Sequence, residues 1–308
     1  MMVRHFLQMT DLTARELEQL LRQAARLKRS RSARVKPMAG KMVVLVFQKP
    51  SMRTRVAFEV AVHQLGGTAI YLDQNDIKLG EREPIKDVAR ALSRYVDAIV
   101  VRVFAHGDAE EFARYAGVPV INGLSNLHHP CQALADLLTI QEHFRTLKGI
   151  TVAYVGDGNN VLHSLAQGLG QFHDVILRVA TPTGYEPDKH IWGEEVRRCG
   201  GRLDLFCDDP KPAVRGADVI YTDVWTSMGQ EREQEIRRKA FQVFQVNQAL
   251  LALAKPNCVV MHCLPAHRGE EITEEVMESP RSLIFEQAEN RLHVQKALLL
   301  MLLGRKAA

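Results

Sequence analysis

Along the whole chain, short runs of β-branched and aliphatic residues alternate with longer stretches whose apolar positions recur at helical spacing. In the first half the strand candidates are Met42–Phe47, Thr68–Leu72, Ala98–Val103 and Val118–Ile121. Between them lie helix candidates at Ser51–Leu65, Ile85–Val96, Ala109–Ala116 and Pro130–Phe144. On the Ser51 helix, Ala57, Val60, Ala61 and Leu65 fall at i, i+3, i+4 and i+8, one face of a helix. A second series has strands at Ile150–Val155, Val175–Ala180, Arg202–Phe206, Asp218–Thr222 and Val259–His262, with helices near Asn160–Gln171 and Lys189–Cys199. This alternation predicts an α/β protein of two domains, each a mostly parallel sheet flanked by helices. The break between Phe144 and Gly149 separates residues 1–146 from 147–285. The remainder, 286–308, reads as one long helix over Glu286–Leu303. With no strand after it, we expect this helix to pack back on the first domain.

Composition narrows the class without changing that picture. A length of 308 residues suits two cores better than one. With 46% hydrophobic and 25% charged residues there is ample apolar material, so neither disorder nor a disulfide scaffold is required. The 40 basic and 36 acidic residues nearly cancel. The densest basic run, Arg26–Arg34, reads as a solvated helix end and loop, and no broad basic face or reading motif points to nucleic acid. Five cysteines without paired or C-x-x-C spacing imply reduced thiols and a cytoplasmic protein with no metal centre. Met1–Leu20 mixes charged and apolar residues and does not read as a signal peptide. The most apolar stretch, Ala297–Leu303, falls far short of the roughly 20 residues that span a bilayer.

Ligands of parallel α/β sheets sit at the carboxyl ends of strands, so the residues after each strand carry the chemistry. The first strand leads into Ser51-Met52-Arg53-Thr54-Arg55. A capping serine, free helix amides, two hydroxyls and two guanidinium groups make an anion site suited to phosphate. The plainer alternative is a capped helix with two surface arginines. Arg102 ends the third strand, where a charge is costly unless it is paired or meets a ligand. After the fourth strand, His129-Pro130-Cys131-Gln132 opens a helix, and His129 with Gln132 could hold a carbonyl oxygen that becomes an oxyanion.

In the second half, Gly156-Asp157-Gly158-Asn159-Asn160 resembles a dinucleotide turn. Val161 replaces its third glycine, and the next strand ends in Thr181-Pro182 with no acid to hold a ribose, so a nicotinamide enzyme is the weaker reading. Asn160 could instead offer its amide to a zwitterion. Asp223…Ser227-Met228-Gly229 places a carboxylate and a hydroxyl in a loop that could bind an amino acid and close over it. His262-Cys263-Leu264-Pro265 follows the last strand and sets a thiol beside a histidine.

Ser51–Arg55, His129–Gln132 and His262–Pro265, in this order and spacing, resemble the carbamoyl-phosphate signatures of the aspartate/ornithine transcarbamylase family. The Asp223 loop, with Gly156–Asn160, is similar to the signature of its ornithine-binding branch. The resemblance runs from about Phe6 to Leu303. It implies carbamoyl transfer from carbamoyl phosphate to the side-chain amine of L-ornithine, giving citrulline. It also implies a first domain binding carbamoyl phosphate, a second binding ornithine, and no metal or organic cofactor. Ser51, Met52 (by its backbone), Arg53 and Thr54 would hold the phosphate. Arg102, His129 and Gln132 would polarise the carbonyl; Pro130, Cys131, Cys263, Leu264 and Arg291 would also line the carbamoyl-phosphate site. Asn160, Asp223, Ser227 and Met228 would bind ornithine, with Cys263 and Asp223 helping to deprotonate its amine. The family's trimers share sites through a neighbour's loop, here Asp73–Glu83 with Lys78 facing carbamoyl phosphate, so a homotrimer or a multiple of trimers is implied. A sibling activity on putrescine or N-acetylornithine, or a non-catalytic member, are the alternatives.

Overall fold

Charged, leucine-bearing sequence opens the chain as helix α1 (Ala14–Arg29), which buries Leu17, Leu20, Leu21 and Ala24 on one stripe. Of this helix the sequence suggested only the end, in the basic run that begins at Arg26. The structure is a computed structural model that describes residues 3–29, 36–80, 82–199, 202–227 and 229–304. Then come β1 (Met42–Phe47), α2 (Met52–Gln64), β2 (Thr68–Leu72), α3 (Gln74–Ile77), α4 (Ile85–Leu92), β3 (Ala98–Arg102), α5 (His106–Tyr115), β4 (Val120–Leu124) and α6 (Pro130–Phe144). The sheet is parallel throughout, in the order β2-β1-β3-β4. Its interior strands β1 and β3 are almost wholly buried. Each such Val or Leu contributes about 1.5–3 kcal/mol by leaving water.

Two local readings shift. The buried stripe of α2 is Thr54, Phe58, Ala61 and Val62, continuing to Leu65, whereas Ala57 and Val60 are only partly buried. The helix is rotated because Phe58, its largest apolar side chain, takes the core. Strand β4 runs to Leu124 instead of ending at Ile121. It does so because Phe6 bridges Ile121 at the sheet edge and Asn122 Nδ2 donates to the Leu7 carbonyl at 2.9 Å. That pairing lets a polar Asn122 stand fully buried in a strand.

The second series continues with β5 (Thr151–Val155), α7 (Asn160–Leu169), β6 (Ile176–Thr181), α8 (Lys189–Cys199), β7 (Leu203–Cys207), α9 (Lys211–Val214), β8 (Val219–Thr222), α10 (Gln234–Phe241), α11 (Gln248–Leu251), β9 (Val259–His262), α12 (Glu274–Met277) and α13 (Ile284–Leu303). Its sheet is again parallel, in the order β7-β6-β5-β8-β9. Phe241, Phe244, Trp225 and Ile272 anchor the core beneath it.

The chain divides into two compact units: Met1–Leu138 with Glu289–Ala308, and Thr139–Ala288. The first division falls within α6, earlier than the break between Phe144 and Gly149. Helix α13 starts in the second unit and belongs to the first from Glu289 onward. There Lys28 Nζ donates to Asn290 Oδ1 (2.8 Å) and Lys296 Nζ to Gln64 Oε1 (2.9 Å). No helix among the described residues is long and apolar enough to cross a membrane.

Candidate active site

Strand order fixes where side chains converge. In the first sheet the direction of strand addition reverses between β1 and β3, and in the second between β5 and β8. Ligands of open parallel sheets bind outside the carboxyl ends of strands at such switch points.

At the first switch point Phe47 lies opposite Arg102. The chain leaves β1 through Ser51, which caps α2 and accepts from the Thr54 amide at 3.2 Å. That cap leaves the remaining first-turn amides of α2 pointing outward beside Arg53. Arg102 closes β3 at a register shift against β4, almost fully buried, and its Nε has no hydrogen-bond partner among the described residues. Burial, with Arg291 and Arg53 nearby, brings its guanidinium down to about 10. His129 precedes α6 and is buried. Desolvation first, then Arg291, Arg102 and Arg53, hold its imidazole well below the usual histidine range, so it is neutral at pH 7.

Arg291, on α13, completes the group. Its Nη2 donates to Thr54 Oγ1 at 2.6 Å, which leaves the Thr54 hydroxyl proton free to point elsewhere. Gln132, in the first turn of α6, donates from Nε2 to Asp136 Oδ1 (2.9 Å), while its buried Oε1 has no partner among the described residues. Burial pushes the Cys131 thiol up to about 12, and its Sγ–H donates to the Asn122 carbonyl at 3.6 Å. Pro130 supplies the first residue of α6. Met52 is exposed. Lys78 ends α3 in the left-handed region (φ 42°), exposed, with no side-chain ion pair among the described residues.

The second unit builds a different surface. Thr222 pairs with both Val155 and His262, so the residues after β5, β8 and β9 emerge side by side. Asp223 is buried. Its Oδ1 accepts from Cys263 Sγ at 2.9 Å and from the Val224 amide, and its Oδ2 accepts from Asn159 Nδ2 at 2.7 Å. Asn159 also caps α7, and Asn160 is the first residue of that helix. Ser227 holds its amide against Gln230 Oε1 (3.1 Å). Met228 lies outside the described residues.

A brace supports each side of this surface. Leu264 sits in the left-handed region (φ 59°), and its amide donates to His262 Nδ1 at 2.9 Å. His262 Nε2 therefore carries the proton and donates to the buried Glu271 at 3.0 Å. Arg237 on α10 binds Asp157 (3.2 Å) and Glu233 (3.0 Å) and donates to the Trp225 carbonyl (3.1 Å). It thus ties the turn after β5 to the root of the Asp223 loop. Burial raises Asp157 to about 6, with Arg237 opposing and Asp223 and Glu233 adding. Sequence reasoning missed Glu271 and Arg237, and it gave Asp157 and Asn159 no part of their own within the Gly156–Asn160 turn. Only Asn159 gave a signal, as a helix-capping residue beside Asn160.

Among the described residues, two clusters offer metal-ligand atoms within 4.8 Å of one another: Asp223, His262 and Cys263, and His267, Glu270 and Glu271. In the first, both His262 ring nitrogens are already engaged. In the second, Glu271 Oε1 is held by His262 and the His267 amide, and Glu270 pairs with Arg238.

Cationic and amide donors gather at the switch point of one unit, and a buried carboxylate bonded to a thiol at that of the other, the donor sets that transfer of an acyl group from a phosphate to an amine requires. The chain belongs to the aspartate/ornithine carbamoyltransferase family. Residues 4–142 match the family's carbamoyl-P binding domain and 148–302 its Asp/Orn binding domain. An ornithine carbamoyltransferase of Archaeoglobus fulgidus is 54% identical over 99% of both chains. An anabolic ornithine carbamoyltransferase of Pyrococcus furiosus is 57% identical, covering 87% of this chain and 85% of its own. The solved structure of ornithine carbamoyltransferase from P. furiosus superposes with a TM-score of 0.92 at 52% identity, covering 97% of each chain.

Proposed function

We propose that this chain transfers the carbamoyl group of carbamoyl phosphate to the side-chain amine of L-ornithine, releasing L-citrulline and phosphate. The observation that carries this reading is the convergence of Arg53, Arg102 and Arg291 with Thr54 and neutral His129 at the first switch point. Like charges held together in a buried pocket are costly until an anion neutralises them. The phosphate takes Arg53, Ser51 and the α2 amides, including that of Met52. The carbonyl oxygen takes Arg102, the Thr54 hydroxyl and His129, whose donors strengthen as the carbon becomes tetrahedral.

Because these groups all donate, the carbamoyl amino group needs an acceptor. Gln132 Oε1, buried and without a partner among the described residues, supplies one. Gln132 thus serves the amino group, a different part from polarising the carbonyl.

Ornithine presents an ammonium whose ordinary pKa is about 10.4, and it must lose a proton before it attacks. The Cys263–Asp223 hydrogen bond gives that proton a route. Asp223, Asn160, Ser227 and Met228 hold the amino-acid end. The amine nitrogen bonds to the carbamoyl carbon, and the C–O bond to phosphate breaks as the tetrahedral centre collapses. Positioning and fixed donors supply the catalysis.

Lys78, exposed and without a side-chain ion pair among the described residues, and the exposed Met52, Val56 and Ile70 on the first unit support a homotrimer in which Lys78 reaches a neighbour's phosphate. The deciding experiment is citrulline formation with ornithine, putrescine, N-acetylornithine and aspartate as parallel acceptors. Turnover with ornithine far above the rest is expected. Preference for another acceptor would keep the chemistry and overturn the reading of the Asp223 loop.

A further inference from the structure

Helix α6 buries a carboxylate one turn beyond the group that meets the carbamoyl end. Asp136 is fully buried, and its Oδ1 accepts from Gln132 Nε2 at 2.9 Å. A carboxylate oxygen that accepts, as Oδ1 does here, is met by the –NH2 side of the Gln132 amide and not by its carbonyl. The opposite side, Oε1, is then fixed outward as an acceptor. It is buried and unpartnered among the described residues. Without the carboxylate the amide could turn over, presenting two hydrogens where the substrate also brings hydrogens.

We propose that Asp136 is a positioning residue that locks the Gln132 amide, and so makes the site select a carbamoyl group over an acyl group without an amino hydrogen. This rests on the carbamoyl-transfer reading above. Acetyl phosphate is the natural probe, since it replaces the amino group by a methyl of similar size and keeps the phosphate and the carbonyl. Inorganic phosphate keeps the anion alone. A locked acceptor contributes to binding of carbamoyl phosphate and nothing to either probe.

The substitution Asp136→Asn keeps the shape and frees the amide to adopt either orientation. It is expected to lower kcat/KM for carbamoyl phosphate about 10- to 100-fold, the value of one hydrogen bond to a desolvated partner. Inhibition constants for acetyl phosphate and inorganic phosphate should stay within about twofold, because no bond to them is lost. Asp136→Glu retains the carboxylate and should recover most of the preference for carbamoyl over acetyl phosphate. If Asp136→Asn does not fold, Asp136→Glu carries the test through that same preference. Equal weakening of carbamoyl phosphate and both probes would show a merely structural role and overturn the proposal. So would an unchanged preference in Asp136→Asn, or its collapse in a folded Asp136→Glu. Wild-type enzyme that forms no citrulline would instead remove the parent reading, before any variant is measured.

Discussion

Arg53, Arg102 and Arg291 share a pocket with a histidine that their charge, added to burial, keeps neutral. A neutral His129 can donate one N–H to an oxyanion without adding a fourth positive charge to the empty site. Its titration has a definite sign. The folded pKa lies below the unfolded value of about 6.5, so His129 favours the folded state fully above that pH, and this contribution is lost as pH falls. The free enzyme should therefore melt at lower temperature as the buffer is taken below about 6.5, and His129→Asn should flatten that slope. A carbon-bound imidazole proton resonance that titrates near 6.5 at this position would contradict the assignment. Thr54 illustrates the same economy of protons. Because Arg291 donates to its oxygen, the hydroxyl hydrogen is directed elsewhere.

Among the elements, α10 has the clearest mechanical part. Its Arg237 spans Asp157 in the turn after β5 and Trp225 in the loop after β8, so it ties together two loops from neighbouring strands. The buried pair leaves a mark on stability. Asp157 has its pKa raised to about 6, so its protonated form is favoured on folding. Wild type should accordingly lose stability relative to Asp157→Asn as pH climbs from about 4 through about 6, by on the order of 3 kcal/mol at most, and the gap should level off above. Urea melts of both proteins across that range would show it; a constant gap would mean that Asp157 titrates normally.

Elements were also where the sequence was most readable. Apolar runs such as Val43–Phe47 and Ile99–Val101 name their own strands, and the residues just past them, Ser51 and Arg102, fall at the switch point. Helix α1 escaped because its four buried positions are embedded in a run of charges. Asp136, Glu271 and Arg237 escaped for another reason. Each acquires its role by meeting a side chain or backbone group whose position only folding sets, and a polar residue in a helix or turn otherwise reads as part of a solvated face.

At the scale of the molecule, the two ligands are assigned to separate units, each with its own parallel sheet. Damage should therefore be selective. Arg53→Ala is expected to weaken inorganic phosphate binding by about tenfold or more while sparing ornithine, and Asp223→Ala to do the reverse. Calorimetric titration of each ligand into each variant reads this directly. Equal loss of both ligands in a folded Asp223→Ala would count against the division.

The first unit is also discontinuous in sequence, since Glu289 onward completes it while 139–288 forms the second without interruption. On a ribosome, units fold as their residues emerge, amino-terminal parts first. Here the earliest-made sheet must wait, its pocket lacking Arg291 and its flank lacking α13, while the whole of the later unit is translated. The cluster of Arg53, Arg102, Thr54 and Arg291 is thus complete only once the segment from Glu289 onward has followed the second unit off the ribosome, and a message cut short before Glu289 gives a product without the guanidinium that meets Thr54.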